Sequence, residues 1–377
     1  MHYFIIFISK ILVMRKMTPT LKCIVLLGLS SLMFACDLEE GSQRLLVNAS
    51  GKPGEIILVI DSLQWQGELG DALRETLEAD LPGVARPEKL FTVRYIEPTL
   101  FNSVLNKARN VIFVATLDSK TQGGTTVRNF MTKNYIQEHP DKFIISQKDI
   151  YAAGQDVLYL FSATEKGLAE KIRNNKATIQ NFFNQKENER LFKALYKAKE
   201  EKAVGEYTRK TYGFSLRVPN GYRIEAHDSA FFWIRNVGEI DKNIFVAYRD
   251  YTSEDIFKNH NLIGLRDSIT RYNIFEDPAD PDTYMRVDTL HIETIYTTTK
   301  FQGQYAKHIR GIWQTGINLG GSFISYVFVD PGTNRLYYLD GFVASPGRKK
   351  REALRELEVI LKTFSTAEKK EKQEAKT

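Results

Sequence analysis

Five consecutive apolar residues, Ile56-Ile57-Leu58-Val59-Ile60, stand between Glu55 and Asp61. A run of strand length without alternation is a strand buried on both faces. That is the pattern of a sheet covered by helices on each side. The segment that follows agrees. Residues 66–80 read as a helix with Leu69, Leu73, Thr76 and Leu77 on one side, stopped by Pro82-Gly83. Phe91 to Ile96 is a second strand, Val111 to Leu117 a third, and Val157 to Phe161 a further one, with Phe143 to Ser146 as its partner. Helices are expected at 165–183 and 187–203. Strands alternating with helices give a first domain over residues 55–205 of α/β type.

The second domain, residues 206–365, reads differently. It opens on Phe214, Leu216 and Val218 alternating with polar residues, and Asn220-Gly221 is a hairpin signal. Strands follow at 230–236, 243–250, 291–299, 303–313, 321–330 and 335–344, interrupted by a helix near 253–271. A last helix at 348–364 presents Leu354, Leu357, Ile360, Leu361 and Phe364 at helical spacing. The fold class expected is therefore α+β. An N-terminal α/β-type layer precedes a C-terminal antiparallel sheet with helices on one face.

Residues 1–35 carry the pattern of a lipoprotein signal peptide. Arg15, Lys16 and Lys22 precede an apolar stretch that ends in Met33-Phe34-Ala35-Cys36. The stretch is shorter than the ~20 residues of a spanning helix, and a small residue before a cysteine suits cleavage and acylation of Cys36. The apolar stretch before it places the translation start at Met14 or Met17. Residues 36–54 read as a flexible tether reaching roughly 20–25 Å. The expected location is the bacterial cell envelope, as an outer-membrane lipoprotein, periplasmic or surface-exposed. Asp37, Glu39 and Glu40 fit a surface-export signal as well as a solvated tether. The tail 366–377 is Lys/Glu-rich and is expected to be disordered.

The formal charge of +6 is misleading, because Lys10, Arg15, Lys16 and Lys22 all precede Cys36. From Cys36 onward the net charge is +2, which gives no field for nucleic acid. Cys23 also falls in the signal, so the processed chain keeps one cysteine and has no intrachain disulfide or thiolate metal site.

The chain resembles a Bacteroidota lipoprotein family known as domain of unknown function 4837. The features that carry the resemblance are the strand Gly54 to Asp61, Arg109-Asn110-Val111-Ile112, Asp149 to Gln155, and the closing Tyr338-Leu339-Asp340-Gly341-Phe342-Val343-Ala344. They spread it over residues 20–365. The family has no assigned activity, so it implies no catalytic residues. Tyr212-Gly213-Phe214-Ser215 with Pro219 and Tyr222 resembles the opening of the PsbP-like fold, whose members are mostly binding or assembly modules.

No motif carries a chemistry outright. Gly123-Gly124 and Gly320-Gly321 lack the Lys-Ser/Thr partner of a phosphate loop. His139, His227, His260, His291 and His308 show no metal-ligand spacing. The acidic loop Glu276 to Asp282 reads as a turn before it reads as a calcium site. Trp65, Trp233 and Trp313 read as packing residues, with Trp65 the one placed for sugar stacking. Arg348-Lys349-Lys350-Arg351 sets positive charge at a helix start, against the dipole, where it faces solvent or anionic lipid. Ser62, Ser229, Ser268 and Thr289 each follow an aspartate and precede an apolar residue, the acceptor pattern of O-glycosylation in Bacteroidota.

These readings favour a non-enzymatic binding or assembly module held on a lipid bilayer through Cys36. Its partner would be an envelope protein or glycan, and no cofactor is expected. The alternative is a surface or periplasmic hydrolase of glycans or peptides, pointed to by Asp61 at a strand end and by the acidic loop Glu276 to Asp282.

Overall fold

The structure is a computed structural model and describes residues 46–131, 135–139, 141–316 and 319–366. The signal segment, Cys36 and the Lys/Glu-rich tail lie outside the described residues. The described residues from Asn48 onward form one compact unit.

The first half runs β1 (Glu55–Val59), α1 (Ser62–Gln66), α2 (Glu68–Leu77), β2 (Thr92–Ile96), β3 (Asn110–Thr116), α3 (Gln122–Asn129), α4 (Tyr135–Glu138), β4 (Ile144–Lys148), β5 (Asp156–Ser162), α5 (Glu165–Asn174) and α6 (Lys176–Leu195). Its sheet has the order β2-β1-β3-β5-β4. The first four strands are parallel, and β4 runs antiparallel at the edge. All residues of β3 and β5 are buried, which is why their sequence does not alternate. One face packs Ile56 and Leu58 on Leu69, Leu73, Ile172 and Phe183. The other packs Ile57 and Val59 on Phe113, Val127 and Phe161. Each such side chain contributes about 1.5–3 kcal/mol on burial.

Two helices end where the sequence reading did not place them. The one expected at 66–80 is divided at Gly67. Asp61 starts the first piece by accepting from the N–H groups of Leu63 and Gln64. Gly70 then lies against the Trp65 carbonyl, where an added Cβ would sit 1.8 Å from the oxygen. The helices expected at 165–183 and 187–203 instead meet at Asn175. The Asn175 side chain donates to the Lys171 carbonyl and ends α5, so α6 runs unbroken to Leu195.

The second half runs α7 (Lys202–Tyr212), β6 (Phe214–Ser215), β7 (Arg223–His227), β8 (Phe231–Asn236), β9 (Asp241–Asp250), α8 (Asn259–Asn273), β10 (Arg286–Val287), β11 (Ile295–Phe301), β12 (Gln304–Gln314), β13 (Gly320–Asp330), β14 (Arg335–Ala344), α9 (Arg351–Leu361) and β15 (Ser365–Thr366). The antiparallel sheet has the order β10-β12-β13-β14-β9-β8-β7, with β11 also paired to β12. Asn220-Gly221 forms a turn, with Gly221 at φ 92°. It does not join a hairpin, because β6 pairs with β15 rather than with β7.

Helices cover both faces of this sheet rather than one. Leu354, Leu357 and Ile360 of α9 pack with Phe232, Ile324 and Leu339. On the opposite face, Leu262 of α8 packs with Phe245, Phe323 and Phe342. The α8 sequence hides this, since it buries Arg266 and Thr270 alongside Leu262. Arg266 and Asp340, both 0% exposed, pair at 2.9 Å, and the Ser325 hydroxyl donates to the same carboxylate at 2.6 Å.

The two sheets share structure. Leu81 and Val84 from the first half enter the core of the second. Gly83, at φ 76°, lies so close to β12 that a Cβ would come within 2.9 Å of the Gly311 nitrogen. The basic cluster before α9 is accommodated by Glu88, whose carboxylate accepts from the backbone N–H groups of Lys350 (2.8 Å) and Arg351 (3.2 Å). An acid from the loop before β2 thus supplies the negative charge that the helix start lacks.

Candidate functional site

A groove of about 1000 Å³ lies where the two halves meet. One wall is α6. Its Ile179 and Phe183 belong to the first core. Asn181, Asn184 and Asn188, at helical spacing, face the groove instead. The opposite wall is the β11–β12–β13 surface. The register sets Thr297 against His308 and His308 against Tyr326, a single cross-strand row. The floor is α9, which presents Arg351, Arg355, Glu358 and Lys362 along one stripe. Six cationic side chains and three acidic ones line the whole.

Charge in the floor is organised around Glu358. Its carboxylate accepts from Arg310 at 2.8 Å, from the Tyr326 hydroxyl at 3.0 Å and from Lys362 at 2.7 Å. Burial works against its ionisation, but Arg310, Lys362 and their neighbours outweigh it and hold the carboxyl well below the usual range. His308 goes the other way for a base. Burial first, and then the Arg310 charge, push it down to about 4 despite nearby Glu358. The imidazole is neutral at pH 7 and stacks on Tyr326 at 4.6 Å. Its Nε2 is out of solvent and has no hydrogen-bond partner among the described residues.

Arg355 ties the floor to the α6 wall. Only 7% exposed, it donates to the Asn184 carbonyl (3.3 Å), the Asn184 side chain (3.2 Å) and the Asn188 side chain (3.2 Å). Both asparagines accept through Oδ1, which leaves their NH₂ groups to donate elsewhere. Phe192 stands at the end of the same wall, 37% exposed, with the Arg217 guanidinium 5.1 Å from its ring.

The residues picked from sequence fall elsewhere, His308 and Arg351 of the basic cluster excepted. Asp61 caps α1 and accepts from Thr121. It faces Glu97 across Gly123, where a Cβ would lie 2.3 Å from Glu97 and 2.5 Å from Asp61. Trp65 is stacked on Tyr95 at 5.4 Å and lies under the Arg74 guanidinium. Trp233 donates to Asn243, and Trp313 is buried against Phe342. In the acidic loop, Asp277 and Asp280 accept from backbone N–H groups two residues on, which is a turn by chemistry. His227 lies near the Tyr207 hydroxyl, and His291 pairs with Asp288 at 2.7 Å. Ser229 and Thr289 are exposed in loops, Ser268 is exposed within α8, and Ser62 is half-buried at the start of α1.

The groove was missed because its walls come from segments far apart in the chain. One signal was present: in α9, Arg351, Arg355, Glu358 and Lys362 recur at helical spacing beside the apolar stripe. The α6 amides were obscured by the helix break expected between 183 and 187.

Residues 201–363 match the family model described as a domain of unknown function, DUF4837. Residues 49–196 match a different model, also a domain of unknown function, DUF8532. The resemblance read over residues 20–365 therefore divides. Gly54 to Asp61, Arg109 to Ile112 and Asp149 to Gln155 fall in the DUF8532 segment, and Tyr338 to Ala344 falls in DUF4837. No curated protein matches the chain. Similar solved structures include the Ran-binding protein Mog1p of Saccharomyces cerevisiae, at 9% identity and TM-score 0.29, covering 41% of this chain and 90% of that one. They also include cyanobacterial PsbP (CyanoP) from Synechocystis, at 13% identity and TM-score 0.27, covering 41% of this chain and 86% of that one. A protein from Bacteroides thetaiotaomicron matches at 10% identity and TM-score 0.24, covering 41% of this chain and 45% of that one. Likeness at this level says nothing of function.

Proposed function

We propose that the protein is a membrane-anchored lipoprotein of the bacterial cell envelope, acting as a non-enzymatic binding or assembly module. Acylated Cys36 holds it on a bilayer, and the groove receives an envelope protein or glycan. The observation that carries the binding reading is the groove lining. It sets six cations and a row of amides among apolar side chains, and Glu358, central in its floor, is held ionised by Arg310, Lys362 and the Tyr326 hydroxyl instead of being poised to move a proton. The anchor rests on Met33-Phe34-Ala35-Cys36 after a short apolar stretch.

Fractionation of the native host tests the anchor. Cys36→Ser should move the protein from the membrane to the soluble fraction, and unchanged partitioning would reject it. Chemical crosslinking of the intact envelope followed by mass spectrometry tests the binder. It should return a discrete partner, and adducts spread over abundant proteins alone would reject it. The hydrolase reading keeps one supporting observation, the meeting of Asp61 and Glu97 at Gly123. Turnover of envelope glycan or peptide that is lost in Asp61→Asn would replace the binding reading. Ser229 and Thr289, exposed in loops, are the proposed O-glycosylation sites. Intact mass of the native protein showing lipid alone would remove that proposal.

A further inference from the structure

We infer that the groove binds an anionic, hydroxyl-rich saccharide, a chain built from uronic acid residues. This rests on the binding reading above and names its ligand class. Four features of the lining point the same way. Phe192 offers an exposed aromatic face at one end, the surface on which the C–H face of a sugar ring stacks. Asn181, Asn184 and Asn188 carry side-chain amides along about 10 Å of helix, a spacing suited to successive rings. An amide pairs a donor with an acceptor, as vicinal hydroxyls do. His308 adds a neutral imidazole to the opposite wall, in one row with Thr297 and Tyr326. Lys176 and Lys193, exposed on the α6 wall and without an ion pair among the described residues, then favour a chain that carries carboxylates.

Other ligand chemistries fit less well. An apolar small molecule needs walls with few polar groups, and here six cations, three acids and three asparagines stand among the apolar side chains. A phosphate group draws on free cations or an open helix start. Here the start of α9 is already capped by Glu88, and the two unpaired cations, Lys176 and Lys193, stand 17 residues apart on α6 rather than clustered on one phosphate.

The test is calorimetric titration of the full chain in detergent with six probes: the tetrasaccharides of oligogalacturonate, oligoalginate and hyaluronan, neutral cellotetraose, inorganic phosphate, and tetraglutamate. At least one uronate tetrasaccharide should bind about tenfold more tightly than cellotetraose. Asn181→Ala and Phe192→Ala, both at exposed positions that leave the fold intact, should each weaken it by about fivefold. The inference is overturned if no uronate binds, if neither substitution changes the affinity, or if phosphate or tetraglutamate binds as tightly as the uronates. If envelope crosslinking returns a partner while no uronate binds, the ligand class fails and the binder stands. If neither is seen, both fail.

Discussion

The two sheets obey the same burial rule and reach different surfaces. The five-stranded sheet is closed on both faces by apolar side chains from α2, α3, α5 and α6. The eight-stranded sheet is closed by α8 on one face and by α9 on much of the other. Where α9 gives way, the row of Thr297, His308 and Tyr326 meets the amide face of α6 rather than an apolar stripe. One helix serves both ends, with Ile179 and Phe183 in the first core and Asn181, Asn184 and Asn188 on the groove. Amide and charged side chains interrupt the apolar lining of the groove between the packed halves, and burying them against each other would cost their hydration.

That contrast predicts that stability resides in the closed sheet and specificity in the open wall. The largest effect is expected from Gly70→Ala, whose Cβ would sit 1.8 Å from the Trp65 carbonyl oxygen. Backbone must move, so chemical denaturation should show a loss of about 3 kcal/mol. Arg355→Ala comes next. It removes three hydrogen bonds that join α9 to α6. The expected loss is about 2 kcal/mol, with faster amide exchange around Asn184 and Asn188. A loss confined to α9, with α6 unchanged, would break the claim that the two halves share this wall.

His308 gives a pH signature. Its pKa is near 6.5 when unfolded and about 4 in the fold. Above pH 6.5 it is neutral in both states. Between 6.5 and 4 the unfolded chain takes up the proton and the folded chain does not. Stability is therefore lost as pH falls through that window, by at most ~1.4 kcal/mol per unit. His308→Gln should flatten this slope in urea denaturation run from pH 7 to pH 4.5. Glu358, with its pKa depressed, adds a loss only below its unfolded value of about 4.3, so the two windows separate. The smallest effect is expected from Asn181→Ala. The side chain is exposed, and stability should change by less than about 0.5 kcal/mol, whatever happens to ligand binding.

Most of the fold was legible. The runs at 56–60 and 157–161 reported burial directly, and the strands of the second half fell within a few residues of their places. Two things were hidden by physics that acts at a distance. Covering of the second face by α8 could not be read, because that helix buries Arg266 against Asp340, 74 residues away. A buried charge looks like surface until its partner is found. Glu88 and Arg351 are likewise 263 residues apart, so the basic cluster read as a solvated or lipid-facing patch. Of the candidate site, His308 was visible only as an isolated strand histidine. Its neighbours Arg310, Tyr326 and Glu358 are assembled by register and helix docking, which no local pattern records.

Site-specific photocrosslinking in the native host tests the central claim most directly. A photoreactive residue replaces Asn181 in the groove, and in a second strain it replaces Tyr272, an exposed residue on α8. The account predicts a discrete adduct from position 181 and none from position 272. A discrete adduct from 272 with none from 181 would contradict it.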